Sequence, residues 1–185
     1  MKSLKDIIQE KLVINKNVKL SKYSCHPKAK DELKKILKER LVKDKNANLN
    51  DIDVSNITDM GTNSNNEGLF EDLDPHNIDI SEWDVSNVEN MRWMFNGCKN
   101  FNSDLSQWNV RKVTDMEYMF QYCENFNSDL SKWNVSKVEN MYSMFHDCEK
   151  FNSDLSQWNV RKVKSMGNMF IYCYSLKNKP KWYHE

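Results

Sequence analysis

Glycine and proline are scarce in this chain, at four and three of 185 residues. So few glycines leave little room for a phosphate-cradling glycine loop, and none of the four opens such a motif. No apolar run approaches the roughly 20 residues that a membrane helix needs, so no membrane span is expected. The opening residues Met1 to Glu10 hold no uninterrupted apolar stretch and no lipobox-like cysteine. That lacks the pattern of a secretory signal and, as written, predicts a cytoplasmic chain. Net charge is also missing: 27 Lys and Arg balance 27 Asp and Glu. The balance is uneven along the chain, with 14 basic against six acidic residues in the first 50. These bases interleave with acids on helical patterns, which describes a solvated helix face better than a nucleic-acid or membrane patch.

What the sequence has is a period. Trp83, Trp108, Trp133 and Trp158 recur every 25 residues, as do Cys98, Cys123, Cys148 and Cys173 and the Met-Phe pairs beginning at Met94, Met119, Met144 and Met169. A strict period of this length marks stacked units that bury apolar faces against their neighbours. Four windows align without gaps, at 76–100, 101–125, 126–150 and 151–175. A partial unit at Asp53–Met60 matches Asp84–Met91 with a step of 31. The extra residues fall near Thr62–Glu67, a polar run that reads as a surface loop.

Comparison of the windows sorts positions. In window 126–150 the recurring apolar set is Phe126, Leu130, Trp133, Val135, Val138, Met141, Met144, Phe145 and Cys148. The steps from Val138 to Cys148 have helical spacing and predict a short helix or 3₁₀ turn over Lys137–Phe145, which Ser136 would cap. Asn127–Ser131 is expected to be a short strand with Leu130 pointing in. The fold class expected is therefore an α/β repeat, a leucine-rich-repeat-like solenoid of about four to five coils. Residues 1–50 form a capping segment of two helices and a short strand, 51–175 the repeats, and 176–185 a C-terminal cap. The first helix carries Leu4, Ile7, Ile8 and Leu12; Asn17–Tyr23 is the strand; Pro27 opens the second helix, with Leu33, Ile36, Leu37 and Leu41 on one face.

The phrase Phe126-Asn127-Ser128-Asp129-Leu130-Ser131-Lys132-Trp133-Asn134-Val135, continuing to Met141 and Met144-Phe145, resembles the repeat of the BspA-like leucine-rich-repeat surface proteins. The likeness is to the 25-residue version found in mycoplasma lipoproteins and covers about residues 26–175. It implies a non-enzymatic scaffold for adhesion or other protein contacts, at a cell surface. The alternative is an intracellular regulator or inhibitor of an enzyme acting through protein contact.

No chemistry of its own is expected from the chain, and no cofactor. His26, His76, His146 and His184 share no column and no metal-ligand spacing. One cysteine per coil makes a line rather than a tetrahedral zinc site, so the four are read as buried thiols. Cys25-His26 is adjacent in sequence, which is not the spatial pairing a thiol nucleophile requires. Asp79, Asp104, Asp129 and Asp154 form a column of like charges. At a stacking distance of ~4.8 Å each neighbouring pair repels by roughly 1 kcal/mol in water. A bound cation would relieve this; backbone N–H groups accepted within each turn would do the same. Asn77, Asn102, Asn127 and Asn152 are expected to form an amide ladder beside it. Candidate partner-binding residues are those that vary between copies, the aromatics Trp93, Tyr118, Tyr122, Tyr142 and Tyr172, with a basic stripe of Arg111, Lys112, Lys137, Arg161 and Lys162. The partner expected is a protein and the chain a monomer.

Overall fold

The computed structural model describes residues 22–62 and 68–184. The expected first helix, most of the Asn17–Tyr23 strand and most of the Thr62–Glu67 run lie outside the described residues. One helix, α1 (Lys30–Leu41), begins three residues after Pro27. Asp31 and Glu32 occupy its first turn and Lys38 and Arg40 its last, the arrangement that suits the helix dipole. Leu33, Leu37 and Leu41 are fully buried beneath it and Ile36 packs at the edge of the same cluster. Lys30 donates to the Gly61 carbonyl at 2.5 Å and Lys45 to the Leu73 carbonyl. Both ammonium groups thus bond to carbonyls of the coil that precedes the first full window.

The repeats are held by a regular exchange of backbone bonds. Met91, Trp93, Phe95 and Gly97 donate N–H to the carbonyls of Asp115, Glu117, Met119 and Gln121 of the next copy, at 2.8–3.0 Å. The alternate residues Met94, Asn96 and Cys98 donate within the copy to the carbonyls of Met91, Trp93 and Phe95. Both patterns recur in 116–123 and 141–148. Single parallel bridges join Asp59 to Asn90, Asn90 to Asp115, Asp115 to Asn140 and Asn140 to Ser165. The same pairing reaches back before the first clear copy, where Leu49 donates to the Asp79 carbonyl at 2.9 Å.

Like residues therefore meet like residues inside. Trp83 stacks on Trp108 at 6.4 Å between ring centroids, Trp133 on Trp158 at 6.5 Å, and Trp158 on Trp182 at 6.2 Å. Each of these indoles donates its Nε1–H to a carbonyl of an earlier copy, Trp133 to Leu105 at 2.9 Å for example. Phe95, Phe120, Phe145 and Phe170 stack at 5.5–5.8 Å, with Phe101, Phe126 and Phe151 in a second column beside them. Trp182 and Tyr183 continue the packing over Phe170 at the C-terminal side. All five cysteines are free thiols. Cys123, Cys148 and Cys173 donate S–H to the carbonyls of Phe95, Phe120 and Phe145 at 2.9–3.0 Å. Burial pushes their pKa values up, that of Cys173 to about 12 and those of Cys123 and Cys148 well above the usual range.

The expected α/β leucine-rich-repeat-like solenoid is not the fold. Among the described residues α1 is the one helix, it lies outside the repeats, and there is no strand or sheet. Asn127–Ser131 makes no strand, and Lys137–Phe145 makes neither helix nor 3₁₀ segment. The backbone explains the correction. Ser143, Phe145 and Asp147 send their N–H groups to the next copy, so they cannot make the i→i−4 bonds of a helix. Ser143 and Asp147 also have φ of 51° and 59°, in the left-handed region. Ser136 caps nothing; its own N–H goes to Asn134 Oδ1 at 3.1 Å. The apolar steps of three that imitate a helix come instead from consecutive i→i−3 turns.

Two measurements check this backbone. Gly97 has φ of 73° and a methyl added there would meet nothing within 4 Å. Gly97→Ala should therefore destabilise the protein by about 1–2 kcal/mol in urea unfolding, from left-handed strain alone. A helix at this position would instead gain about 1 kcal/mol from the same change. In the native protein, iodoacetamide should label Cys25 while Cys98, Cys123 and Cys148 react only after denaturation, as read by peptide mass spectrometry.

Candidate functional site

Each copy turns one run of residues outward between its buried positions. In the third full window Met141, Met144, Phe145 and Cys148 point in, and Tyr142, His146 and Asp147 stay partly exposed. The backbone ladder aligns these runs, so residues 25 apart form columns on one face. Two columns carry left-handed backbone in each of the four full windows. One holds Trp93, Tyr118, Ser143 and Asn168, with φ of 62°, 56°, 51° and 58°. The other holds Asp72, Gly97, Tyr122, Asp147 and Tyr172, with φ between 59° and 73°.

The aromatics among them meet across copies. The Trp93 and Tyr118 rings lie 4.6 Å apart, and Tyr142 approaches Tyr118 edge-on at 5.5 Å. Asn168 donates its Nδ2–H to the Tyr142 hydroxyl at 2.7 Å. Burial raises the pKa of the Tyr118 hydroxyl above its ordinary value. Tyr122 and Tyr172 are held apart by His146, whose ring lies 5.8 Å from one and 5.6 Å from the other. His146 Nε2 is paired with the Asp147 carboxylate at 2.9 Å. Tyr174 extends the row at 6.1 Å from Tyr172. Exposure is greatest at this end: Tyr122 is 44% exposed, Tyr172 52% and Tyr174 73%.

The structure gathers the five aromatics named from the sequence onto one face and leaves the basic stripe elsewhere. Arg111, Lys137, Arg161 and Lys162 are exposed along the turn that follows each buried tryptophan. Lys112 is half-buried and donates to Asn87 Oδ1 at 2.7 Å. The cations that lie over rings among the described residues are Lys22 over Tyr23 and Lys179 over Tyr183, neither from the stripe. Two members of the aromatic face escaped the sequence reading. Tyr174 lies past the last recurring cysteine, and His146 was grouped with scattered histidines; its position in a varying column was the available signal.

The other motifs resolve locally. His26 turns to Asp53, with Nδ1 3.1 Å from its carboxylate, while the Cys25 thiol lies beside Ser24 and Arg40. Arg40 pairs with Asp51 at 2.9 Å, and the Ser24 hydroxyl and this guanidinium hold the Asp51 pKa below the usual carboxylate range. No described helix is long and apolar enough to cross a membrane.

No curated protein and no solved structure matches the chain. One family model does, described as a Mycoplasma protein of unknown function, and its match runs from residue 64 to residue 183. That span is more than half of the sequence and contains every recurring tryptophan, cysteine and Met-Phe pair. The chain therefore belongs to this family of Mycoplasma proteins of unknown function, DUF285.

Proposed function

We propose that this chain is a non-catalytic protein-binding module and that its contact surface is the aromatic face, above all Tyr122, Tyr172 and Tyr174. One observation carries the reading. The left-handed columns accept Gly97, Asp147, Ser143 and Asn168 in some copies and Trp93, Tyr118, Tyr122 and Tyr172 in others. Glycine, asparagine and aspartate are the residues that tolerate this conformation, and bulky ones are outliers there. Each ring held at positive φ costs roughly 1–3 kcal/mol, and equivalent copies do without one. The coil itself has no need of these rings. Tyrosine and tryptophan on a rigid support supply large contact area at little conformational entropy, which is the chemistry of protein hot spots.

The triple variant Tyr122→Gly, Tyr172→Asn and Tyr174→Ser tests the reading. Thermal unfolding should show equal or higher stability, by up to about 1 kcal/mol per left-handed position relieved. Capture of partner protein from the native cell and from host extract, quantified against the unaltered chain, should fall by about tenfold or more. Undiminished capture by a stable variant would reject the aromatic face as the contact surface. A large loss of stability would show the rings to be structural.

A further inference from the structure

The stack of coils has a direction, and its two ends differ. In each earlier copy four alternate N–H groups point toward the next copy and meet its carbonyls. Those of Met141, Ser143, Phe145 and Asp147 donate to Ser165, Gly167, Met169 and Ile171 at 2.8–3.1 Å. In the last copy the equivalent groups belong to Met166, Asn168, Phe170 and Tyr172. None of these four N–H groups has a partner among the described residues. The carbonyls of Ser165, Gly167, Met169 and Ile171 face the other way, into the copy before. This edge therefore offers donors alone, and native backbone donors are seldom left without an acceptor.

Apolar packing stops at the same place. Val135, Val138 and Met141 are fully buried. Their counterparts one copy later, Val160, Val163 and Met166, are only half-buried. The tail serves the other half of the coil: Trp182 stacks on Trp158, Tyr183 meets Phe170 edge-on, and Ser175 and Lys177 donate their N–H groups to Glu149 and Asn152. Charge is also one-sided here. Between residues 155 and 184 the chain carries Arg161, Lys162, Lys164, Lys177, Lys179 and Lys181 and no acidic residue, although its 27 basic and 27 acidic residues balance overall. All six are exposed. Lys164 pairs with Glu139 of the copy before.

We propose that this open edge, from Val160 to Tyr172, docks an acidic segment of a partner protein, which adds to the stack as part of a further coil. Every second carbonyl of the segment accepts from Met166, Asn168, Phe170 and Tyr172, as each copy accepts from the one before it. Its apolar side chains cover Val160, Val163 and Met166, and its carboxylates face Arg161 and Lys162. Main-chain bonds at a free edge supply affinity and the side chains specificity. Successive amides with left-handed residues among them, here Asn168 and Tyr172, also favour negative charge. A second copy of the chain does not fit. Tail to tail, donors would face donors and cations would face cations. Head to tail, the other end is covered by α1 and its leucines. The occupant must bring acceptors and negative charge together, and an acidic peptide does both.

The test uses the full chain and a fluorescein-labelled peptide in which glutamate alternates with valine, with a lysine-for-glutamate peptide and oligothymidylate as controls. The glutamate peptide should bind and the lysine peptide should not. On saturation, hydrogen exchange read by NMR should slow by about tenfold or more at the Met166, Asn168 and Tyr172 amides, and stay unchanged at Met141, Ser143 and Asp147. The variant Arg161→Ser, Lys162→Asn and Lys164→Thr carries the residues that Ser86, Asn87 and Thr114 supply at these positions in other copies. It should fold and lose about tenfold or more in affinity. Were it to unfold, amide exchange in the unaltered chain decides alone. The proposal is overturned by no binding up to about 1 mM, by binding that leaves those three amides unchanged, or by undiminished affinity in a folded variant. It is equally overturned by tighter binding of oligothymidylate, or by amide protection that grows with protein concentration without peptide, which would make a second copy the occupant. The Tyr122→Gly, Tyr172→Asn and Tyr174→Ser variant keeps every donor of the edge and should bind the peptide normally, so the edge and the aromatic face succeed or fail independently.

Discussion

The lateral exchange of alternate N–H groups is the constraint on which the rest of the structure depends. Phe95 donates to Met119, Phe120 to Met144 and Phe145 to Met169, each to a carbonyl 24 residues on. This fixed offset admits no slip, because moving a copy by one residue would pair donors with the wrong carbonyls and rotate the phenylalanines out of their column. The apolar spines follow from the offset, and they reinforce it. An indole that stacks on its neighbour and donates to the carbonyl of Leu105 or Leu130 is satisfied in one register alone. Buried backbone groups need partners almost without exception, and here they are divided between i→i−3 turns within the copy and the copies on either side.

Such a stack has ends, and the N-terminal one shows how an end is finished. Carbonyls of the coil before the first full window take donors from the segment around α1, and Ser24 donates its N–H to the Asp51 carbonyl. Lys30 reaches Gly61 from the first turn of α1, and Lys45 reaches Leu73 from the segment after it. The leucines of the same helix cover the apolar cross-section. The helix and the segment after it thus serve this coil together, its carbonyls through Lys30 and Lys45 and its apolar surface through Leu33, Leu37 and Leu41.

The period, the identity of the core residues and the burial of the thiols were legible in the sequence because they are set by like residues touching like residues. The local conformation was not. Val138, Met141, Met144, Phe145 and Cys148 have the spacing of an amphipathic helix, and a chain of i→i−3 turns gives inward positions at the same steps. The distinguishing signal lay in the residues between. Gly97, Asp147, Ser143 and Asn168 occupy the two columns whose φ is positive, and glycine, aspartate and asparagine are the types that favour that region. Reading their variation as freedom at a solvated surface obscured this, since the aromatics that share those columns are not left-handed formers. The turn-capping aspartates were legible, and so was the amide ladder from Asn102 to Asn152, while Asn77 donates its N–H to Asn46 Oδ1 instead. The separation of the basic stripe from the aromatic face was not, because it depends on which way each turn swings the chain.

The division of labour within a coil explains how a sequence this repetitive can carry two different surfaces. The core fixes the positions of roughly every other residue through the ladder and the spines, and the residues between are held in place without being chosen. On the run after each buried valine two positions per copy are left-handed, so a ring there carries a cost in stability, and rings appear in some copies only. On the extended run before each tryptophan the backbone is relaxed, and Asn and Asp recur in every full copy.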